Sequence, residues 1–325
     1  MTNPWAWYTD REVFEREQER IFARAWQYVG HAGQVANVGD FFTANAGRVP
    51  VVVTRADDGL HALLNVCRHR GSLVAEGSGN RRTLQCPYHA WTYALDGTLR
   101  AAPRSDFDLA ECPLASLRLE TWGPFLFVNP DGEAEPLLET LAEIPSLIDP
   151  DAYVFHHRTQ WSVPANWKIV CENFLECYHC AVAHPSFSAL VDVSPDAYRL
   201  ELGRLHSTQI GPARDGETRS QFHFVWPNTG INVFPGEANL SIGPMVAASP
   251  ERTDRFLDYF IGPDVGEEWI AELLELDDTV GREDAALVER VQAGVSAGLL
   301  ERGMLLHDAE KLVAHFQQLV RDAIS

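Results

Sequence analysis

The sequence predicts an α+β protein in two parts: a small all-β domain, then a larger α+β domain with a mostly antiparallel sheet and helices. Three observations carry this. The chain has 325 residues, long for one domain and comfortable for two. From about 41 to 128, short β-rich runs are separated by Gly, Pro, Asn and Asp. From Trp161 onward, helical spacing gives way to strand-like runs and then to helices. The expected boundaries are 1–37 for an N-terminal helix packing on the larger domain, 38–150 for the small domain and 151–325 for the larger one.

In chain order, Thr9 with Glu12 three residues on forms a capping box. Phe14, Ile21, Phe22, Ala25 and Val29 then share a face, which predicts a helix over 9–29. Val51–Thr54, Gly97–Leu99 and Pro124–Val128 read as strands of the small domain. Gly132–Pro150 reads as a connector with a short helix. Ala165–Cys180 has helical spacing. Residues 200–262 alternate strand-like runs, such as Phe222–Trp226 and Leu257–Ile261, with turns. From Glu267 the chain reads as helices. There is no internal repeat and no low-complexity tract.

Hydrophobic residues make up 46% and charged residues 22%, ordinary for a globular protein. The net charge of −20 argues against a nucleic-acid partner, which wants a basic surface. The acidity serves solubility, or docking to a basic patch on an electron donor. No run of 18 apolar residues predicts a membrane span, and Met1–Tyr8 carries no signal-peptide pattern. The six cysteines, Cys67, Cys86, Cys112, Cys171, Cys177 and Cys180, are therefore expected to be reduced in a cytoplasmic protein and to act as ligands or packing.

Cys67-Arg68-His69 is followed by Cys86-Pro87-Tyr88-His89. Each loop offers one sulfur and one nitrogen. Zinc accepts a Cys2His2 set, but its usual loops pair like with like. Mixed halves favour a [2Fe-2S] cluster with both sulfurs on one iron and both imidazoles on the other. Asn65–Gly71 and Cys86–Tyr93 resemble the Rieske family around these ligands. Respiratory Rieske proteins carry two further cysteines, joined as a disulfide. Ser72 and Tyr88 stand at those positions here, so the resemblance points to the oxygenase and ferredoxin branch.

The second half contains Asn166–His179 and then His184-Pro185. Two histidines and a distant carboxylate would form the facial triad of non-haem Fe(II) enzymes. His179 and His184 are five apart, ~140° around an ideal helix. They therefore need a distorted helix or a helix end at His184, which Pro185 favours. Glu172, Glu176 and His179 are expected on one helix face. Asp284 falls with Leu287, Val288 and Val291 on an inward face and is the leading third ligand. Glu283 points elsewhere and is the reserve. The segment resembles the catalytic motif of Rieske oxygenase large subunits.

Most of that family carries an aspartate three residues before the first iron histidine. It bridges to a cluster histidine of the neighbouring subunit. Here the position is Glu176, as in the branch acting on glycine betaine, carnitine and stachydrine. The resemblance implies a homotrimer, a separate NAD(P)H-dependent reductase with or without a ferredoxin, and O2 as co-substrate. It also implies mono-oxygenation of a small molecule, favoured as N-demethylation of a quaternary ammonium compound. Phe222, Phe224, Trp226 and Phe234 would supply a cation–π cage or, singly, sheet core. The alternatives are C–H or aromatic-ring oxygenation, a pure Rieske electron-transfer protein and a structural zinc protein.

Overall fold

The computed structural model describes residues 1–325. It divides into two compact units, Phe22–Leu137 and Met1–Ile21 with Leu138–Ser325. The divisions thus fall earlier than the 37/38 and 150/151 expected from sequence. One reason is that residues 27–31 form a strand of the small unit.

The small unit holds β1 (Gln27–His31), β2 (Asp40–Ala46), β3 (Val49–Ala56), β4 (Gly59–Leu64), β5 (Ser78–Asn80), β6 (Leu84–Gln85), β7 (Thr92–Tyr93), β8 (Leu99–Ala101), β9 (Ser116–Trp122) and β10 (Phe125–Asn129). Seven of these form one antiparallel sheet in the order β1-β10-β9-β4-β3-β2-β5, and β6-β7-β8 form a second. Side chains on β3 alternate between two cores. Val51 and Val53 pack with Val29, Phe42 and Leu126. Val52 packs on the other side with Phe41, Leu63, Cys67 and Cys86. Both faces are covered, which explains three consecutive buried valines.

In the larger unit, α1 (Arg11–Glu17) is capped by Asp10, whose carboxylate accepts from the N–H of Glu12 at 2.7 Å and of Val13 at 3.2 Å. The cap is therefore Asp10, not Thr9, whose hydroxyl turns back to the Ala6 carbonyl. The helix expected to reach Val29 passes into a π turn over Gln18–Phe22 and stops. Pairing with β10 satisfies the later backbone, and tertiary pairing overrides helical spacing there.

Two short helices, α2 (Leu137–Leu141) and α3 (Ile144–Leu147), lead into a seven-stranded antiparallel sheet. Its strands are β11 (Val154–Val163), β12 (Arg199–Leu202), β13 (His206–Pro212), β14 (Arg219–Val225), β15 (Thr229–Val233), β16 (Asn239–Ser249) and β17 (Arg252–Ile261). The order β11-β17-β16-β15-β14-β13-β12 is a meander closed at one edge by β11. Helices α4 (Trp167–Phe174), α5 (Cys180–Ala183), α6 (Pro185–Leu190), α7 (Glu267–Ser296) and α8 (Lys311–Ile324) complete the unit. α4 packs against α7, β16 and β17.

A buried ion pair anchors α4. Lys168 Nζ and Glu17 Oε1 are 2.6 Å apart with no exposure of either side chain, and Glu17 Oε2 accepts from Trp167 Nε1 at 2.8 Å. Removing one member leaves a buried charge without its partner. Lys168→Met is expected to destabilise this unit by ~3–5 kcal/mol, read as a lowered midpoint in urea. A midpoint equal to the parent's would show that Glu17 relaxes into water.

Candidate active site

The first cysteine–histidine loop lies between β4 and β5, the second between β6 and β7. In each, the cysteine carbonyl accepts from the N–H four residues on: Gly71 to Cys67 at 3.0 Å and Ala90 to Cys86 at 3.1 Å. Gly71 and Ala90 both have positive φ, 74° and 58°. Glycine takes this conformation freely and alanine only at a cost. The two loops thus repeat one turn, with the cysteine inward and the histidine outward. Cys67 and Cys86 are buried, while His69 and His89 are exposed with ring centroids 4.6 Å apart.

Burial pushes the Cys86 thiol up, but the N–H of Tyr88, the Cys67 sulfur and the N–H of His89 outweigh it and hold the group below its ordinary value. The thiolate is the metal-binding form. Two sulfur donors and two imidazole donors on matched loops fit a [2Fe-2S] cluster bound asymmetrically. Tyr93 adds a contact invisible in the motif. Its hydroxyl accepts from Arg68 N–H at 3.1 Å and lies 3.4 Å from Cys67 Sγ, so its own proton is free for the sulfur. Such a bond favours the reduced, more negative cluster. Tyr93→Phe is expected to lower the reduction potential by on the order of 60 mV, the equivalent of ~1.4 kcal/mol for one electron. A redox titration of the visible spectrum measures this, and an unchanged potential would remove Tyr93 from the sulfur's environment.

The second centre forms where α4 ends. The chain leaves the helix at Leu175, and His179 and His184 flank the one-turn helix α5. His184 closes α5 and precedes Pro185, the first residue of α6. Breaking the helix removes the ~140° separation of a five-residue step. The two Nε2 atoms come to 3.0 Å, and Asp284 Oδ1 lies 3.0 Å from His184 Nε2 and 3.4 Å from His179 Nε2. Donors ~2.1 Å from an octahedral metal and at right angles to one another are ~3.0 Å apart. The three atoms therefore suit three facial positions of one divalent ion.

The outer nitrogens carry carboxylates. His179 Nδ1 contacts Glu176 Oε1, and His184 Nδ1 lies 2.8 Å from Glu283 Oε2. Each Nδ1 proton is thereby engaged, which leaves an Nε2 lone pair for a metal. Glu176 Oε2 also accepts from the N–H of Tyr178 at 2.5 Å and of His179 at 3.2 Å. Asn173 Nδ2 donates to Asp284 Oδ1 at 3.1 Å. Burial lowers the pKa of His179, but Asp284 and Glu176 overcome it and raise the group to about 9. Burial likewise raises Asp284, and the two imidazoles more than reverse that shift.

Several local expectations change. Both α7 carboxylates sit inside one long helix, not near its start, and Glu283 turns to His184 instead of away from the site. Val291 is half exposed. Glu172 does not share the face of Glu176, because the helix stops between them. It meets Tyr8 Oη at 2.6 Å and Gln317 Nε2 at 3.0 Å, and burial pushes its carboxyl up to about 7 despite these donors. Cys177 and Cys180, expected reduced, are joined as a disulfide across the turn that carries His179, with Cα atoms 4.9 Å apart. Cys67, Cys86, Cys112 and Cys171 are free.

A cavity of about 380 Å³ opens beside the triad, lined by residues of α4, α5, α7 and the sheet. Of the four aromatics singled out in the sequence, Phe222 and Phe234 line it. With Phe187 they form an edge-to-face wall, centroids 5.6–6.4 Å apart. Phe224 and Trp226 instead pack on Phe316 of α8. Trp161, Phe174, Tyr198 and Tyr259 also line the cavity. No local pattern distinguished them from core aromatics.

Residues 25–116 match the Rieske [2Fe-2S] domain family, and 150–325 match the catalytic domain of ring-hydroxylating α subunits. The chain is 34% identical to the carnitine monooxygenase oxygenase subunit of Acinetobacter pittii, over 98% of this chain and 94% of that one. It is 31% identical to the chloroplastic choline monooxygenase of Spinacia oleracea, over 97% and 76%. A solved quaternary ammonium Rieske monooxygenase superposes with a TM-score of 0.90 at 30% identity, covering 100% of this chain and 95% of that one. No helix is long and apolar enough to cross a membrane. The matched loops, the His–His–Asp convergence and these likenesses agree: the chain belongs to the Rieske non-haem iron oxygenases, as the large subunit that joins a [2Fe-2S] domain to an Fe(II) catalytic domain.

Proposed function

We propose that this oxygenase hydroxylates an N-methyl carbon of a quaternary ammonium compound, which then loses that carbon as formaldehyde. The balance is one O2, two electrons and two protons per methyl group, giving hydroxymethyl and water; collapse then releases formaldehyde, a proton and the tertiary amine. The observation that carries this is the aromatic wall of Phe187, Phe222 and Phe234 in a cavity that opens on the triad. Ring faces attract a cation that cannot donate hydrogen bonds, and relatives over nearly the whole chain are named for carnitine and choline.

Cys67, Cys86, His69 and His89 hold the cluster, and His179, His184 and Asp284 hold the iron. When bound, the cluster supplies electrons singly and the Fe(II) is the centre at which O2 is reduced. The chain's own part is to fix tautomers and shape the cavity. Glu176 and Glu283 keep the Nδ1 protons of His179 and His184 pointing outward, and Asn173 orients Asp284. The exposed His69 and His89 suit electron transfer to a neighbouring subunit, and the solved relative is described in terms of inter-subunit transfer. We therefore infer a homotrimer in which Glu176 faces a neighbour's cluster, fed in the cytoplasm by an NAD(P)H-dependent reductase.

The test is aerobic turnover with a surrogate reductase and a panel of N-methylated ammonium compounds, following formaldehyde against substrate consumed. Equal amounts support N-demethylation. An oxidised product that keeps every methyl group would move the reading to C–H hydroxylation elsewhere on the substrate.

A further inference from the structure

Resting on that reading, we propose that Arg255 is an anion receptor inside the substrate cavity, so that the preferred quaternary ammonium substrate carries a carboxylate. Arg255 lies on β17 opposite Trp161 of β11. Arg255, Leu257 and Tyr259 alternate along β17 onto the face that lines the cavity. Its guanidinium carbon sits 5.0 Å above the Trp161 ring. Its Nε is buried with no hydrogen-bond partner. No carboxylate pairs with the group, although the cavity also contains Asp277 and Asp284. The Tyr259 hydroxyl occupies Asp277, and His184 and Asn173 occupy Asp284.

A guanidinium stays charged at every pH a protein meets. Asp284 and Asp277 attract Arg255 through space without a direct contact, and a buried charge that no group hydrogen-bonds is costly. Its planar fork matches a carboxylate with two parallel hydrogen bonds. The neighbouring β strand Arg158 shows the alternative: it faces the other side of the sheet and is paired with Asp258 at 2.6 Å. Arg255 is left open where a ligand can reach it. The aromatic wall lies elsewhere along the sheet. Phe222 is on β14, three strands from β17, or ~14 Å between strand axes. The cavity thus separates a site for an ammonium group from a site for an anion, as a zwitterion with its charges at opposite ends requires. Choline-like compounds, with a hydroxyl in place of the carboxylate, would leave the guanidinium unpaired.

Binding to the anaerobic holoenzyme tests this by calorimetry with three probes. They are γ-butyrobetaine, its methyl ester, which lacks the anion, and 5,5-dimethylhexanoate, its carbon isostere, which lacks the cation. The parent is expected to prefer γ-butyrobetaine to the ester by roughly 10–100-fold. Arg255→Gln should collapse that ratio to near one and weaken 5,5-dimethylhexanoate similarly, and Arg255→Lys, which keeps charge without the fork, should fall between. A parent that binds ester and acid equally, or a glutamine variant that keeps the preference, would overturn the assignment. The isostere separates the two readings. If it binds as tightly as γ-butyrobetaine and depends on Arg255, the anion site stands and cation recognition falls. If the ester binds well and the isostere is unaffected by Arg255→Gln, cation recognition stands and the anion site falls.

Discussion

His184→Ala is expected to abolish substrate oxidation while the small unit keeps its cluster. His184 is almost fully buried and supplies one of three donors that converge beside the cavity. Its removal leaves one imidazole and one carboxylate, too few to hold Fe(II) against water. Loss of a partner behind a metal ligand already reduces affinity or activity by ~10–100-fold, so loss of a ligand should take turnover below ~1% of the parent. Metal analysis should show the mononuclear iron gone and the cluster iron retained, with the visible spectrum unchanged. Full turnover would exclude His184 from the site, and loss of the cluster as well would show that the two centres do not load independently.

Glu176→Gln should leave the cluster in place, weaken the iron site and nearly stop the cooperation of the two centres. Three donors meet the Glu176 carboxylate: the His179 ring nitrogen through one oxygen, and the Tyr178 and His179 N–H groups through the other. Glutamine has a single oxygen. If that oxygen keeps the backbone donors, the amide N–H points at His179 Nδ1 and forces the tautomer whose Nε2 carries the proton. If it flips, two N–H groups face its NH2. Either arrangement weakens His179 as a ligand, and the negative charge between the ring and its surroundings is gone. With Fe(II) supplied in excess, the cluster should still be reduced at the parent rate while substrate oxidation falls ~10–100-fold. Glu176→Asp, which keeps the charge but is shorter by one methylene, should restore part of the rate. Normal oxidation by the glutamine variant would take Glu176 out of the coupling between centres.

Legibility in the sequence follows distance along the chain. The two matched Cys–His loops were readable because each Cys–His pair lies within four residues, and each loop closes on its own cysteine carbonyl. The histidine pair was readable from Pro185, a local backbone constraint. The end of the first helix was not. Nothing within residues 9–29 reveals that Gln27–His31 pairs with a strand a hundred residues away.

By itself, then, the sequence determined the chemistry on offer: two mixed Cys–His loops, two histidines at a helix break, an acidic pair on a later helix and the order of β and α regions. Tertiary structure decided how that chemistry is shared out. Glu283 and Asp284 are adjacent residues ~100° apart on one helix, and both reach His184, on opposite nitrogens. Only the placement of α7 against α4 and α6 turns one toward the paired Nε2 atoms and the other to the outer nitrogen. Phe222 and Phe224 project from the same face of one strand, yet the first walls the cavity and the second lies under α8. Arg255 looks in sequence like any charged strand residue. Its open guanidinium exists because the sheet turns it inward while the carboxylates nearest to it are already engaged. Local spacing fixes which groups are neighbours along an element; what each group faces depends on packing between elements far apart in the chain.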